Sequence, residues 1–219
     1  MTPSPEELLQ EAVQNHKASR FDKCIKAAEK ARKKFQKEGR VDQAIEALRV
    51  MADCTVNARD LKKARKLYKN LIEEGAEMSN LWYQSAANWG LGEVALHRMD
   101  YFSAATYFQS GLDIARSIAD KWYAAWNAFG LANALRGMAR LDEAKPLLNE
   151  AIEGFRAIDQ STYVSWVERV LNDMRGEVIT AEAKVWLCPM CGSKFGAEQA
   201  GQLKSGELVT CEYCGTSVG

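Results

Sequence analysis

The chain is poor in the residues that catalysis usually draws on. It has two histidines in 219 residues, His16 and His97, and neither stands in a metal-ligand or nucleophile pattern; both read as surface or groove-lining side chains. There is no phosphate-binding loop, no Gly-x-Gly-x-x-Gly after a strand and no Gly-x-Ser-x-Gly. Carboxylates are plentiful, but no pair departs from ordinary helix-surface charge. An enzyme is not expected. Long apolar runs are missing too. No window approaches the roughly 18 consecutive apolar residues of a membrane-spanning helix, and the opening MTPSPEELLQEAVQ has neither the basic leader nor the apolar stretch of a secretory signal. The formal net charge is zero, which argues against attraction of the whole protein to nucleic acid or anionic membranes while leaving local patches open. A soluble, cytoplasmic protein is the expectation.

What is present is an ordinary globular balance, 47% hydrophobic and 26% charged, which is too apolar for disorder. The opening residues read as a helix start: Ser4 at the cap, Pro5 in the first helical position and Glu7 three residues after the cap. Charge is uneven. Residues 1–80 hold 17 Lys/Arg against 13 Asp/Glu, a balance of +4, and the remainder holds 12 against 16, a balance of −4.

The sequence repeats every forty residues. RFDKCIKAAEKA from residue 20 aligns with DLKKARKLYKNL from 60, DYFSAATYFQSG from 100 and RLDEAKPLLNEA from 140. One column is always bulky (Phe21, Leu61, Tyr101, Leu141). Another, three residues on, is always small (Cys24, Ala64, Ala104, Ala144), and a further small column runs through Ala12, Ala52, Gly92 and Ala132. Small residues at fixed points let antiparallel helices approach closely, and bulky ones fill the space beside them. Each unit is therefore a helical hairpin that buries its open face by stacking on its neighbours, which makes a solenoid. LWYQSAANWGLG from 81 aligns with KWYAAWNAFGLA from 121, and STYVSWVERVL from 161 continues the register as the first helix of a fifth unit, with Gly176 as its expected end. In the repeats, Cys24 and Cys54 read as small buried hydrophobes.

GLGEVALHRMDYFSAATYFQSGL resembles the tetratricopeptide repeat, with Leu91, Gly92, Tyr101, Ala104, Phe108 and Leu112 at signature positions. The resemblance spans roughly residues 5–175, and the forty-residue period is longer than the usual 34 of that family. Such lengthened units are similar to those of G-protein signalling modulators and of bacterial regulators with tetratricopeptide arms. It implies an adaptor that holds a partner peptide in a concave groove lined by the first helix of each hairpin. The family's groove positions fall here on Arg49, Asp53, Trp89, Glu93, Trp126, Phe129, Asn133 and Arg136. Aromatics with nearby arginine are what binding hot spots favour, although the three aromatics serve equally for packing between units. The positions with which chaperone-binding members clamp a carboxylate are Leu9 and Val13 here, which argues against a chaperone-tail receptor.

Lys23, Lys26, Lys30, Lys33 and Lys37 fall on one face of the second helix of unit one, and the second helix of unit two adds Lys62, Lys63, Arg65, Lys66 and Lys69. A solvated convex face is the default reading. A phosphate-binding patch in a ribonucleoprotein or transcription assembly is the alternative, although few aromatics interleave there for base stacking.

The C-terminus carries the sharpest chemical pattern. Cys188 and Cys191 form one Cys-x-x-Cys pair, Cys211 and Cys214 another, nineteen residues apart. That spacing suits one closed, tetrahedral four-thiolate zinc site, with Gly192 and Gly215 allowing the tight backbone each knuckle needs. The segment resembles a zinc ribbon, with a turn at Lys204–Gly206 and a strand over 207–210. So small a module needs its metal to fold. A rubredoxin-like iron site is the alternative metal reading. With three Lys against four Glu in residues 181–219, the ribbon is not built to grip nucleic acid by itself. The expected architecture is an all-α solenoid over residues 5–176, four hairpins plus a capping helix, then a linker over 177–184 and a β zinc ribbon over 185–219. Its expected role is that of a protein-interaction scaffold with one structural zinc ion and a protein or peptide partner.

Overall fold

The structure, a computed structural model, describes residues 2–185, 195–212 and 215–218. The chain divides into two compact units, Met1–Glu168 and Arg169–Gly219, each described by itself.

The first unit is a run of antiparallel helices: α1 (Pro5–Lys17), α2 (Phe21–Lys37), α3 (Val41–Asn57), α4 (Leu61–Glu77), α5 (Leu81–His97), α6 (Tyr101–Ser117), α7 (Lys121–Gly137), α8 (Leu141–Arg156) and the beginning of α9 (Ser161–Val185). Four hairpins and the start of a fifth follow the forty-residue repeat. From α1 to α8 each helix packs on the next, and α1, α3, α5 and α7 also touch in sequence, so these first helices form one continuous layer. At the N-terminus the expected capping box forms, the Glu7 amide donating to Ser4 Oγ at 3.1 Å and the Ser4 amide to Glu7 Oε2 at 2.7 Å.

The joints hold the period. From α1 to α9 the helices are joined by short turns in which one residue is left-handed: Ser19, Gly39, Arg59, Ser79, Met99, Ala119, Ala139 and Asp159, with φ between 52° and 71°. The next residue closes the helix behind it, its amide donating to the carbonyl five residues back, as Arg20 does to Asn15 at 2.8 Å and Asp100 to Ala95 at 3.0 Å. This is the Schellman closure of a helix end. The same residue opens the next helix. Asp60, Asp100 and Asp120 accept the amides of Lys63, Ser103 and Tyr123 at 3.1, 3.1 and 2.7 Å, which is N-capping. One residue thus closes one helix and opens the next.

The repeated small columns form the core. Ala12, Ala52, Ala132, Cys24, Ala64, Ala104 and Ala144 are fully buried, while Phe21, Leu61, Tyr101 and Leu141 are half-buried at the first helical position. Glycine is required where rings cross between helices. The Phe108 ring lies so close to α5 and α7 that a Cβ on Gly92 would come within 2.6 Å of it and one on Gly130 would overlap it; a Cβ on Gly90 would overlap Tyr68 in the same way. Cys24 of α2 and Cys54 of α3 do more than fill space. Their Cα atoms are 6.2 Å apart and the two are joined as a disulfide. The expectation of two independent hydrophobes missed this because the residues come together only across the junction between hairpins, 30 positions apart.

In the second unit α9 continues to Val185. Gly176 does not end it, and the expected linker over 177–184 is helical. No proline follows Gly176 to stop the helix, and a single interior glycine costs only about 1 kcal/mol. Further on lie α10 (Ala197–Lys204), β1 (Val209–Thr210) and β2 (Ser217–Val218). The strands pair antiparallel, Val209 opposite Val218 and Thr210 opposite Ser217. The expected strand over 207–210 is thus shorter, and a helix precedes the Lys204–Gly206 turn. Phe195, Ala200, Val209 and Cys211 form a small buried cluster with Leu203 and Val218 against it.

Seven of the eight turns place a side chain in the left-handed region, which disfavours any residue with a Cβ. Met99→Gly and Ala119→Gly should each raise the unfolding free energy by about 0.5–1 kcal/mol, and Gly39→Ala should lower it by a similar amount. Urea denaturation of the three variants checks this.

Candidate binding groove

The first-helix layer carries a groove of about 740 Å3. Its floor at one end is polar: His16 and Lys17 from α1, and Arg49, Asp53 and Asn57 from α3. Its other end is aromatic: Trp82 and Trp89 from α5, Trp122, Tyr123 and Trp126 from α7, and Tyr163 and Trp166 from the first turns of α9. Five of the chain's six tryptophans stand here, so tryptophan serves the groove and the core is built from smaller side chains.

The aromatic wall is packed edge to face. Ring centroids are 4.9 Å apart for Trp126–Tyr163, 5.6 Å for Trp122–Tyr163 and 5.2 Å for Tyr163–Trp166, with interplanar angles between 65° and 74°. Such contacts, favoured by the ring quadrupoles, hold the rings rigidly. Trp166 is 45% exposed, giving the wall a free apolar rim. The buried indole Nε1 of Trp89 has no hydrogen-bond acceptor.

The polar floor is a saturated ion network. Arg49 meets Glu46 through Nε at 2.9 Å and Nη2 at 2.6 Å, and Asp53 Oδ2 through Nη1 at 2.6 Å. Its guanidinium lies over the Trp82 ring, 5.7 Å from the centroid. The Tyr68 hydroxyl donates to Asp53 Oδ1 at 2.9 Å. Burial raises the Asp53 carboxyl above the ordinary range, and Arg49 and Tyr68 hold it partly back. Burial works against the Arg49 charge, but Asp53 and Glu46 outweigh it. Removing one member of such a buried set strands the others.

Arg49, Asp53, Trp89 and Trp126, all singled out from sequence, come together in this groove. Glu93, Phe129, Asn133 and Arg136 are not part of its lining. Phe129 packs beside Trp126, centroids 6.2 Å apart, and Arg136 donates to Asn133 Oδ1 at 3.2 Å. Glu93 is the third-unit counterpart of Asp53, and the repeat explains its different fate. Forty residues on, Arg49 becomes Trp89 and Tyr68 becomes Phe108, so Glu93 has neither the guanidinium nor the phenol. Burial pushes its pKa up to about 7, only partly offset by Arg59. The aromatic groove residues missed from sequence, Trp82, Trp122, Tyr123, Tyr163 and Trp166, also obeyed the repeat: Trp82 with Trp122, Tyr123 with Tyr163 and Trp126 with Trp166 are spaced by forty.

The basic residues expected on the outer helices are solvent-exposed: Lys23, Lys26, Lys30, Lys33 and Lys37 on α2, and Lys62, Lys63, Arg65, Lys66 and Lys69 on α4. Arg32 of α2 reaches Glu74 of α4 at 2.5 Å, which ties the two helices together. Of the four candidate zinc ligands, Cys188, Cys191 and Cys214 lie outside the described residues. Cys211 is buried. Its carbonyl accepts the Gly215 amide at 2.8 Å and its amide donates to Thr216 at 2.9 Å, and Gly215 takes φ of 72°.

Comparison with known proteins agrees with this architecture. Residues 83–157 match the tetratricopeptide repeat family. The third and fourth units, where the repeat is clearest, supply that match. The crystal structure of the apo form of RapI superposes with a TM-score of 0.67, covering 83% of this chain and 71% of that one at 12% sequence identity. At that identity the likeness shows a shared fold, a helical-repeat solenoid. No curated protein matches the sequence. Among the described residues no helix is long and apolar enough to cross a membrane.

Because Glu93 binds its proton more tightly folded than unfolded, its contribution to stability falls as pH rises from about 4.5 to about 7. Glu93→Gln should therefore stabilise the protein at pH 8, by roughly 1–3 kcal/mol, and have little effect at pH 4. Thermal unfolding of both proteins across that range measures it.

Proposed function

We propose that this protein is a non-enzymatic interaction scaffold of the cytoplasm that captures a peptide or helix of a partner protein in the groove of its first-helix layer. The observation that carries this reading is the groove itself, where a rigid aromatic wall with an exposed rim adjoins a polar floor. Partially exposed, well-packed tryptophans are the residues that dominate binding energy at protein interfaces. The Arg49 network is already satisfied within the chain, and His16 Nε2 meets Asn57 Nδ2 at 3.0 Å, which leaves the exposed Lys17 as the groove's charged donor.

The same proposal includes a structural zinc ion held by Cys188, Cys191, Cys211 and Cys214. Two observations support it. The donor set is four cysteines in two pairs closely spaced in sequence, and the Gly215 amide donates to the Cys211 carbonyl at 2.8 Å with Gly215 left-handed, a contact of the kind such a knuckle makes. The ion would supply stability to a module whose described core is only a few side chains. The exposed lysines of α2 and α4, helices joined by the Arg32–Glu74 ion pair, support a second reading, phosphate contacts within a ribonucleoprotein or transcription assembly.

Metal analysis of the purified protein should give about one zinc per chain, lost on Cys188→Ser/Cys211→Ser substitution. Partner capture should fall roughly tenfold or more in Trp166→Ala, while thermal unfolding, which loses one edge-to-face ring contact worth about 0.5–1.5 kcal/mol, remains cooperative. Undiminished capture by Trp166→Ala, with RNA or DNA binding that weakens steeply with salt, would replace the groove reading by the convex one.

A further inference from the structure

We propose that Cys24 and Cys54 form a redox-set fastener between the first two hairpins, whose state governs how firmly α1 and α2 are held against the groove-lining helix α3. The two residues sit on adjacent helices of different hairpins, with Cα atoms 6.2 Å apart, inside the range a disulfide requires. Both are fully buried. The repeat shows that packing alone does not demand sulfur here. At the same position of later junctions the pair is Ala64 with Val94 and Ala104 with Ala134, all of them buried. The later junctions thus bury the same two positions without sulfur, and only the first is furnished with two thiols.

The link reaches the groove through one helix. Cys54 follows Asp53 directly, and the Cys24 sulfur lies 3.9 Å from the carbonyl oxygen of Val50; Val50 and Asp53 both line the groove. The covalent bond therefore ties the outer helix of the first hairpin to the polar floor.

The chemistry is thiol–disulfide exchange with a low-molecular-weight disulfide such as oxidised glutathione. One thiolate attacks the reagent's disulfide, forming a mixed disulfide and releasing one glutathione thiolate. The second cysteine thiolate attacks the protein sulfur of that mixed disulfide, closing the Cys24–Cys54 bond and releasing the second glutathione thiolate. The two protons lost by the cysteines are taken up by the two leaving thiolates. Because both sulfurs are out of contact with water, exchange proceeds through local opening of α2 from α3. In a compartment rich in thiols the pair rests open, and oxidation closes it.

Full-length protein equilibrated in glutathione buffers from reduced to oxidised, then denatured in an alkylating reagent and mapped by peptide mass, tests the pair apart from the four C-terminal cysteines. Cys24 and Cys54 should pass together from alkylated to joined. In the same buffers, backbone hydrogen exchange over α1–α3 should be roughly tenfold or more faster in the reduced form, with α5–α8 unchanged. The Cys24→Ala/Cys54→Ala variant, which adopts the alanine seen at other junctions, should show the fast exchange at every glutathione ratio. Alkylation of both cysteines in all buffers overturns the proposal. So does equal exchange over α1–α3 in the two forms, or a variant that still responds to glutathione.

Discussion

The solenoid depends on one backbone constraint: after each helix a single residue must turn left-handed so that the next residue can both close the helix behind it and stand at the start of the one ahead, its carbonyl or side chain accepting that helix's first hydrogen bond. That shared residue fixes the twenty-residue step, and the step fixes everything above it. Because every helix starts in phase, the small columns meet at the same depth of each junction and the first helices align into one layer. The groove follows from that alignment and from no feature of any single unit. The constraint is met mostly without glycine; Gly39 alone among the eight turn residues is free of the left-handed penalty. Packing on both sides of each joint carries the others.

Within this uniform frame the units have diverged in how they treat equivalent positions. The second unit places Arg49, Asp53 and Tyr68 together as a closed set of charge and hydrogen bond. The third places Trp89, Glu93 and Phe108 at the same three positions, so its carboxyl lacks the counterparts of that guanidinium and phenol. The polar and aromatic ends of the groove are therefore two versions of one structural slot. Their boundary lies between α3 and α5, where the Arg49 guanidinium rests over the Trp82 ring.

The period, the hairpins, the small columns and four of the groove residues were legible in the sequence, since all of them are consequences of register. Where sequence reasoning fell short, the deciding contact crossed the register. Trp82, Trp122, Tyr123, Tyr163 and Trp166 joined the groove because successive first helices bring their rings together, although their forty-residue spacing was visible. Phe129 occupies the same column as Trp89 yet packs beside Trp126 instead of lining the groove. The pairing of Cys24 with Cys54 joins two different columns, so no comparison within a column reveals it. Gly176 resembled a helix end, but composition alone could not say whether the residues after it would carry the helix on. The cysteine pairs of the C-terminal module speak through spacing, and only Cys211 and its turn add a geometric observation to that.

The crossing of aromatic rings over glycines gives the array a grammar. Tyr68 needs Gly90 in the unit after it, and Phe108 needs Gly130, whereas the matching position of the second unit is Val50. A unit that ends in an aromatic ring can be followed only by one whose first helix has a glycine there. Tandem copies of residues 41–80 would drive Tyr68 into valine, while excision of residues 81–120 would set it against Gly130, another glycine. Order along the solenoid is thus directional, written in which neighbour each block will accept.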